Sequence, residues 1–309
     1  MGHHVYMTLS CVRGHPNERR RMPADAPRPA DRGQHCDDSG DECTLGSMVA
    51  VLAVKRLGDA KSRLVSTMGD DAAHGAETSG GDTSGGKIAA DSAPATLSPA
   101  QRERLRADPG AFVLAMFADT IATLHEAGIR DVVVVTPDHR VRERAQQLAA
   151  HVVDEPGDVA GDLNAAYALG AATARTRWPA HRQVLIVQAD LPAAQPTSLR
   201  EIVDAAVERG ESMVTDRAGT GTSLLLRPMT AHELPRFGPD SAAAHRAAGV
   251  VELDPEHLLW PDVRTDVDTV GDLIAALRLG VGEHTRSVLK DVRIPGATAS
   301  GVGEQSDAS

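Results

Sequence analysis

No apolar run in this chain approaches the ~20 residues needed to cross a bilayer, and the first residues carry no apolar signal core. A cytoplasmic location is therefore expected, with no membrane partner. Aromatic residues are scarce, at 2% of 309. The core must then come from Val, Leu, Ile and Ala, and 41% hydrophobic residues suffice for one sizeable α/β core. Cysteine is confined to Cys11, Cys36 and Cys43, which leaves the body of the chain without a disulfide framework or a cysteine metal site. Positive charge is in deficit too: a net charge of −11 argues against nucleic-acid partners, yet leaves room for a local basic pocket holding a small phosphorylated ligand. No Ser–His–Asp order, nucleophile elbow or Walker sequence is present.

What is there falls into βα units. Residues 1–46 are rich in Arg, Pro, Asp and Gly without periodicity and are expected to be a disordered extension, with Met48 an alternative start. A Gly-, Ser-, Ala- and Thr-rich stretch at about 69–97 is expected to be a flexible insertion. A disordered tail at 291–309 leaves 47–290 as a single domain. Apolar runs predict strands at 49–54, 132–135, 151–153, 184–189, 212–215, 222–226 and 250–253. Helical periodicity predicts helices near 139–149, 163–175, 198–208, 241–248 and 270–279. Ser98, Pro99 and Gln101 predict a helix start, and Phe112, Met116, Phe117, Thr120, Ile121 and Leu124 mark one face of a helix ending at Gly128. The fold class is α/β, a single domain with a mostly parallel, helix-covered sheet.

Five clusters follow strands, where such a sheet places its ligands. In VLAVKRLGDAKSRL, Lys55, Lys61, Ser62 and Arg63 at a strand-to-helix turn suit a polyphosphate, or form a solvated basic turn. In VLIVQADLP, Asp190 ends a buried strand that Pro192 cannot continue. In VRTDVDTVGDL, Asp266 and Asp268 point the same way if extended, while Asp268 or Thr269 suits a helix N-cap. Asp190 and Asp266 form the expected Mg²⁺ pair, since that ion takes one or two protein carboxylates and completes its shell with substrate phosphate and water. DRAGTGTSLLL offers glycine N–H groups and threonine hydroxyls to an anion, or is a plain Gly-rich turn. In RFGPDSAAAHRAAG, Ser241 opens a short helix carrying His245 and Arg246, and is an anion ligand or only a cap. Asp162 caps a further helix, from which Asn164 faces a ligand or solvent. His125, His181 and His257 have no metal-ligand spacing and are expected at the surface.

The succession AVKRLGDAKSRL, DLNAA, VQADLP, DRAGTGTSLLL, RFGPDSAAAHRAAG, RTDVDTVGDL and LGVG, in order from about Val49 to Thr285, resembles the phosphoenolpyruvate or 2-phospho-L-lactate guanylyltransferase family of deazaflavin coenzyme F-420 biosynthesis. The resemblance implies a Rossmann-like nucleotidyltransferase domain that transfers GMP from GTP to a phosphorylated three-carbon acid and releases pyrophosphate. It assigns Asp190 and Asp266 to Mg²⁺, and Thr222, Gly238 and Ser241 to phosphoenolpyruvate. Lys55, Lys61 and Arg63 go to the GTP phosphates as catalytic cations, and Ser62 and Asn164 to the nucleotide. The PRFGPDSAAAH stretch favours phosphoenolpyruvate as acceptor. Alternatives are 2-phospho-L-lactate as acceptor, or a catalytically silent GTP-binding regulator, and a homodimer stands as an open expectation. The N-terminal extension and the 69–97 insertion depart from the compact family pattern.

Overall fold

The computed structural model describes residues 45–59, 96–156, 161–207 and 209–289. Its centre is β1 (Met48–Ala53), a fully apolar run whose side chains alternate between two buried faces. Ala50 and Leu52 join one core cluster, and Val49 and Val51 the other. Burial on both faces explains why the run has no polar alternation. β2 (Asp131–Thr136) and β4 (Gln183–Val187) flank β1 in parallel, and β3 (His151–Asp154) lies parallel outside β2. β5 (Ser212–Thr215) and β6 (Thr222–Pro228) form a hairpin whose second strand runs antiparallel to β4, and the short β7 (Val251–Glu252) pairs parallel with β5. The sheet order is β3-β2-β1-β4-β6-β5-β7. Successive strands run outward from β1 through β2 to β3 and then cross to β4 on the other side of β1, so strand order reverses between the parallel β1 and β4, the switch point where open α/β sheets bind ligands.

α1 (Pro99–Ala107) and α2 (Pro109–Ala127) replace the single helix that the sequence predicts, and they meet at 95°. Pro109 lacks the N–H that would continue α1 and forces Asp108 out of helical geometry; the Asp108 carboxylate then caps α2 through the Ala111 N–H at 2.9 Å. Ser98 and Gln101 make the expected capping box, and Gly128, at φ 110°, ends α2 in a conformation that favours glycine. α2 lays Phe112, Met116, Phe117, Ile121 and Leu124 on one sheet face. α4 (Leu163–Arg177) covers the other face with Tyr167, Ala171 and Ala174, and comes close because Gly170 sits against Val51 and Val135.

α3 (His139–Gln147), α5 (Pro196–Ala206), α6 (Ser241–Ala247) and α8 (Val270–Leu279) lie where periodicity predicts them. Two short helices escaped it: α7 (Pro261–Arg264) and α9 (Glu283–Val288) are too short to show a repeat. α9 is fastened by the buried Asp119 carboxylate, which accepts the His284 and Thr285 N–H groups at 2.9 and 2.8 Å. Among the described residues, no single helix is long and apolar enough to cross a membrane.

Candidate active site

The carboxyl ends of β1 and β4 and the start of β6 share one edge of the sheet. Val54 extends the pairing of β1 by donating to the Val135 carbonyl at 3.0 Å, and exposed Lys55 and Arg56 follow at once. The turn is then anchored by the Leu57 N–H on the Asp138 carboxylate at 3.0 Å. Lys55 borders a narrow crevice with Glu155 and Leu163. Lys61, Ser62 and Arg63 lie outside the described residues.

β4 ends at Val187, short of the predicted Ala189, so Asp190 stands on the loop beyond it. The buried Thr120 hydroxyl steadies that loop by accepting the Leu191 N–H at 3.3 Å, its single hydrogen lying between the Met116 carbonyl at 3.1 Å and the Ala189 carbonyl at 3.4 Å. The backbone of the loop before α8 abuts it, because the Val267 N–H donates to the Asp190 carbonyl at 3.2 Å. Asp190 and Asp266 are both half-buried on these joined loops. The cap of α8 is Thr269, in a capping box with Asp272, and Asp268 contributes its backbone N–H, to Asp272, at 3.3 Å. Two carboxylates on abutting backbone fit a hard divalent cation that draws its other ligands from substrate. Among the described residues no group of three or more His, Cys, Asp or Glu could hold a metal, so that fit does not extend to an all-protein cage.

The glycine-rich turn is less open than its sequence suggests. The N–H groups of Thr220 and Gly221 donate to the Asp216 carboxylate at 3.0 and 2.9 Å, and that of Gly219 to the Asp216 carbonyl at 3.0 Å. The turn therefore satisfies its own donors, as the plain Gly-rich reading holds. The α6 N-terminus is committed as well: Ser241 N–H donates to the Gly238 carbonyl at 3.2 Å and Ala242 N–H to the Thr220 carbonyl at 3.0 Å. Ser241 is not the cap, since Asp240 occupies that position at φ 54°. Its hydroxyl instead donates to Thr222 Oγ1 at 3.1 Å, and both residues are enclosed. Gly238, at φ 135°, is exposed.

These loops can be set beside known proteins. A family model described as a MobA-like NTP transferase domain matches residues 114–254. The phosphoenolpyruvate guanylyltransferase of Nocardia farcinica (strain IFM 10152) is 42% identical over 247 residues, covering 79% of this chain and 91% of that protein. The chain belongs to the phosphoenolpyruvate guanylyltransferase family. The namesake from Streptomyces avermitilis is 44% identical over 190 residues, covering 61% of this chain and 85% of that protein. Among solved structures, a nucleotidyl transferase from Methanothermobacter thermautotroptrophicus is 18% identical, with a TM-score of 0.43 over 74% of this chain and 94% of that one.

In this guanylyltransferase-family chain the loop before α6 is clamped by side chains that the sequence assigns elsewhere. Asn164 is half-buried, and its amide accepts the Phe237 N–H at 2.7 Å and donates to the Phe237 carbonyl at 2.9 Å. The Phe237 ring lies 4.7 Å from Tyr167 and 5.3 Å from His245, centroid to centroid. Burial, then the charge of Asp190, pushes the Tyr167 phenol well above its ordinary value, so Tyr167 stays neutral beside the carboxylate. His245 is no surface cation. Burial, then the guanidinium groups of Arg227 and Arg236, holds its imidazole down at about 4. The spacing of Ser241 and His245, one helical turn apart, was the available signal that both face the same way. Arg246 is paired with Glu252 at 2.6 Å.

Arg264 is another residue that sequence reasoning missed. It is buried and donates to the Thr215 carbonyl at 3.0 Å, the Leu253 carbonyl at 3.2 Å and the Asp254 carboxylate at 3.0 Å. It thereby joins the ends of β5 and β7 to the loop that carries Asp266. The three histidines expected at the surface are half-buried instead. His181 contacts Asp131 at 2.8 Å, and His257 contacts Thr215 at 3.0 Å beneath Gly219. His125 is held below its ordinary value by burial and by Arg130.

Proposed function

We propose that this protein transfers GMP from GTP to phosphoenolpyruvate, giving enolpyruvyl-diphosphoguanosine and pyrophosphate, as a step of coenzyme F-420 biosynthesis. The observation that carries this reading is the convergence of Lys55, the Asp190–Val267 joint and the Thr222–Ser241 pair on one sheet edge, in a chain of this family. A phosphate oxygen of the acceptor forms a bond to the α-phosphorus of GTP. The bond from that phosphorus to the α,β-bridging oxygen breaks, and pyrophosphate leaves with the electron pair. The acceptor phosphate is ionised at neutral pH, so no general base is required, and positioning with electrostatic stabilisation suffices. Asp190 and Asp266 would hold Mg²⁺, which supplies positive charge against the phosphates when bound. In this reading Lys55, Lys61 and Arg63 neutralise the GTP phosphates, Ser62 lies beside the nucleotide, and Thr222, Gly238 and Ser241 receive the acceptor. Asn164 supports that acceptor loop from behind.

The test is pyrophosphate release with GTP and Mg²⁺, run in parallel with phosphoenolpyruvate, 2-phospho-L-lactate and 3-phosphoglycerate, with CTP replacing GTP as control. Release with GTP and phosphoenolpyruvate is expected. Release with 2-phospho-L-lactate alone would move the acceptor assignment, and no release from folded protein with any pair would overturn the transferase reading.

A further inference from the structure

Thr222 at the start of β6, with Ser241 and His245 on α6, forms a polar cluster closed to solvent, at 0%, 2% and 2% exposure. Its hydrogen bonds fix the placement of its protons. The backbone N–H of Arg236 donates to His245 Nε2 at 3.0 Å, and a backbone amide can only donate, so Nε2 carries no hydrogen. The proton of the neutral ring is then on Nδ1, which lies 3.0 Å from Thr222 Oγ1 and donates to it. The imidazole and the two hydroxyls thus bring three hydrogens to two internal bonds, His245 to Thr222 and one between the hydroxyls. One hydroxyl hydrogen is left over. On Thr222 it meets only the Met213 thioether at 3.9 Å, a weak acceptor. With the opposite tautomer Nδ1 would accept from Thr222, Thr222 would accept from Ser241, and no hydrogen would remain for a ligand.

We propose that His245 is a positioning residue for the acceptor: through its Nδ1–H it turns the Thr222–Ser241 pair so that one hydroxyl hydrogen is presented to the acceptor phosphate. The inference rests on the acceptor assignment above and adds to it the residue that sets the direction of the hydroxyls. Two contacts besides that with Thr222 make His245 a hub. Through Arg236 it holds the loop whose next residue, Phe237, is clamped by Asn164. Its ring is braced edge-on by Phe237. The exposed Gly238, whose carbonyl accepts the Ser241 N–H, borders the cluster. An anion arriving beside Gly238 offers a far stronger acceptor than a thioether does.

The test separates the two ring nitrogens. His245→Asn places an amide near Nδ1 and keeps a donor to Thr222, whereas His245→Gln reaches the Nε2 position and loses that donor. Removal of a hydrogen bond to a charged group is expected to raise the phosphoenolpyruvate KM on the order of 10-fold in His245→Gln, with the GTP KM unchanged and partial recovery in His245→Asn. Imidazole ¹⁵N shifts of the wild-type protein are expected to show His245 neutral and protonated on Nδ1 at pH 7. A proton on Nε2 would overturn the proposal, including in the event that His245→Gln does not fold. So would acceptor KM values unchanged in both variants beside an active wild type, an outcome that leaves the transferase reading intact. Failure of the wild type to turn over any acceptor removes that reading, and with it the acceptor role of His245.

Discussion

The backbone N–H of Val267 donates to the carbonyl of Asp190 at 3.2 Å, fastening the loop after β4 to the loop before α8. Two carboxylates far apart in sequence, Asp190 and Asp266, are thereby set on one joint. If that joint holds Mg²⁺, Asp190→Asn lowers turnover on the order of 100-fold or more, because metal charge stabilisation is worth several kcal/mol. EDTA should abolish pyrophosphate release and added Mg²⁺ restore it. Wild-type-like turnover in folded Asp190→Asn, followed by the same pyrophosphate assay, would exclude the metal role.

Asn164 holds Phe237 by both its N–H and its carbonyl. Asn164→Ala should cost about 1–3 kcal/mol of stability by leaving those groups unsatisfied, and should raise the acceptor KM more than the GTP KM. Urea unfolding alongside steady-state kinetics checks both. A larger effect on GTP would return Asn164 to the nucleotide.

His245 predicts an acid-side loss of stability. Its folded value, about 4, lies below the ordinary 6.5, so the unfolded chain binds the proton more readily than the folded one. The contribution is present above pH 6.5, erodes as pH falls from 6.5 towards 4, and reaches at most roughly 3 kcal/mol by proton linkage. Burial pushes Asp254 up, but the Leu259 and Leu258 N–H groups and Arg264 outweigh it and hold it below the ordinary carboxylate range, so its own loss falls at lower pH. Melting temperatures of wild type and His245→Gln from pH 7 to 4 should therefore converge as the pH falls. Parallel curves would show that His245 titrates normally.

Gly170 lets α4 approach β1, and a methyl group there would run into Val51. Gly170→Ala should destabilise by about 1–3 kcal/mol through overpacking. Thermal unfolding measures it, and an unchanged midpoint would mean that the helix moves away without cost.

Arg264→Met strands the buried Asp254 carboxylate, which the Leu258 and Leu259 N–H groups only partly satisfy. Breaking such a pair costs about 3–5 kcal/mol. The variant should also lose turnover, because Arg264 fixes the loop that carries Asp266. Intact turnover in a destabilised protein would confine Arg264 to stability.

The strands β1, β2 and β4 were legible in the sequence because burial on both faces leaves unbroken Val, Leu and Ile runs, and the caps at Ser98, Asp162 and Gly128 because capping is a local backbone requirement. The bend at Asp108 was missed although Pro109 signals it locally, since the apolar period runs across the break. Family motifs brought Asp190, Asp266, Thr222, Gly238 and Ser241 forward as candidates. Tertiary structure alone decided where donors and acceptors go. The N–H groups of Gly219, Thr220 and Gly221 are taken by Asp216, the Asn164 amide serves the Phe237 backbone, and His245 is a neutral, buried hub. Hydrogen bonding is pairwise and saturable, so a residue's chemistry depends on which partner the fold brings to it; apolar burial is not directional, so its pattern survives in the sequence itself.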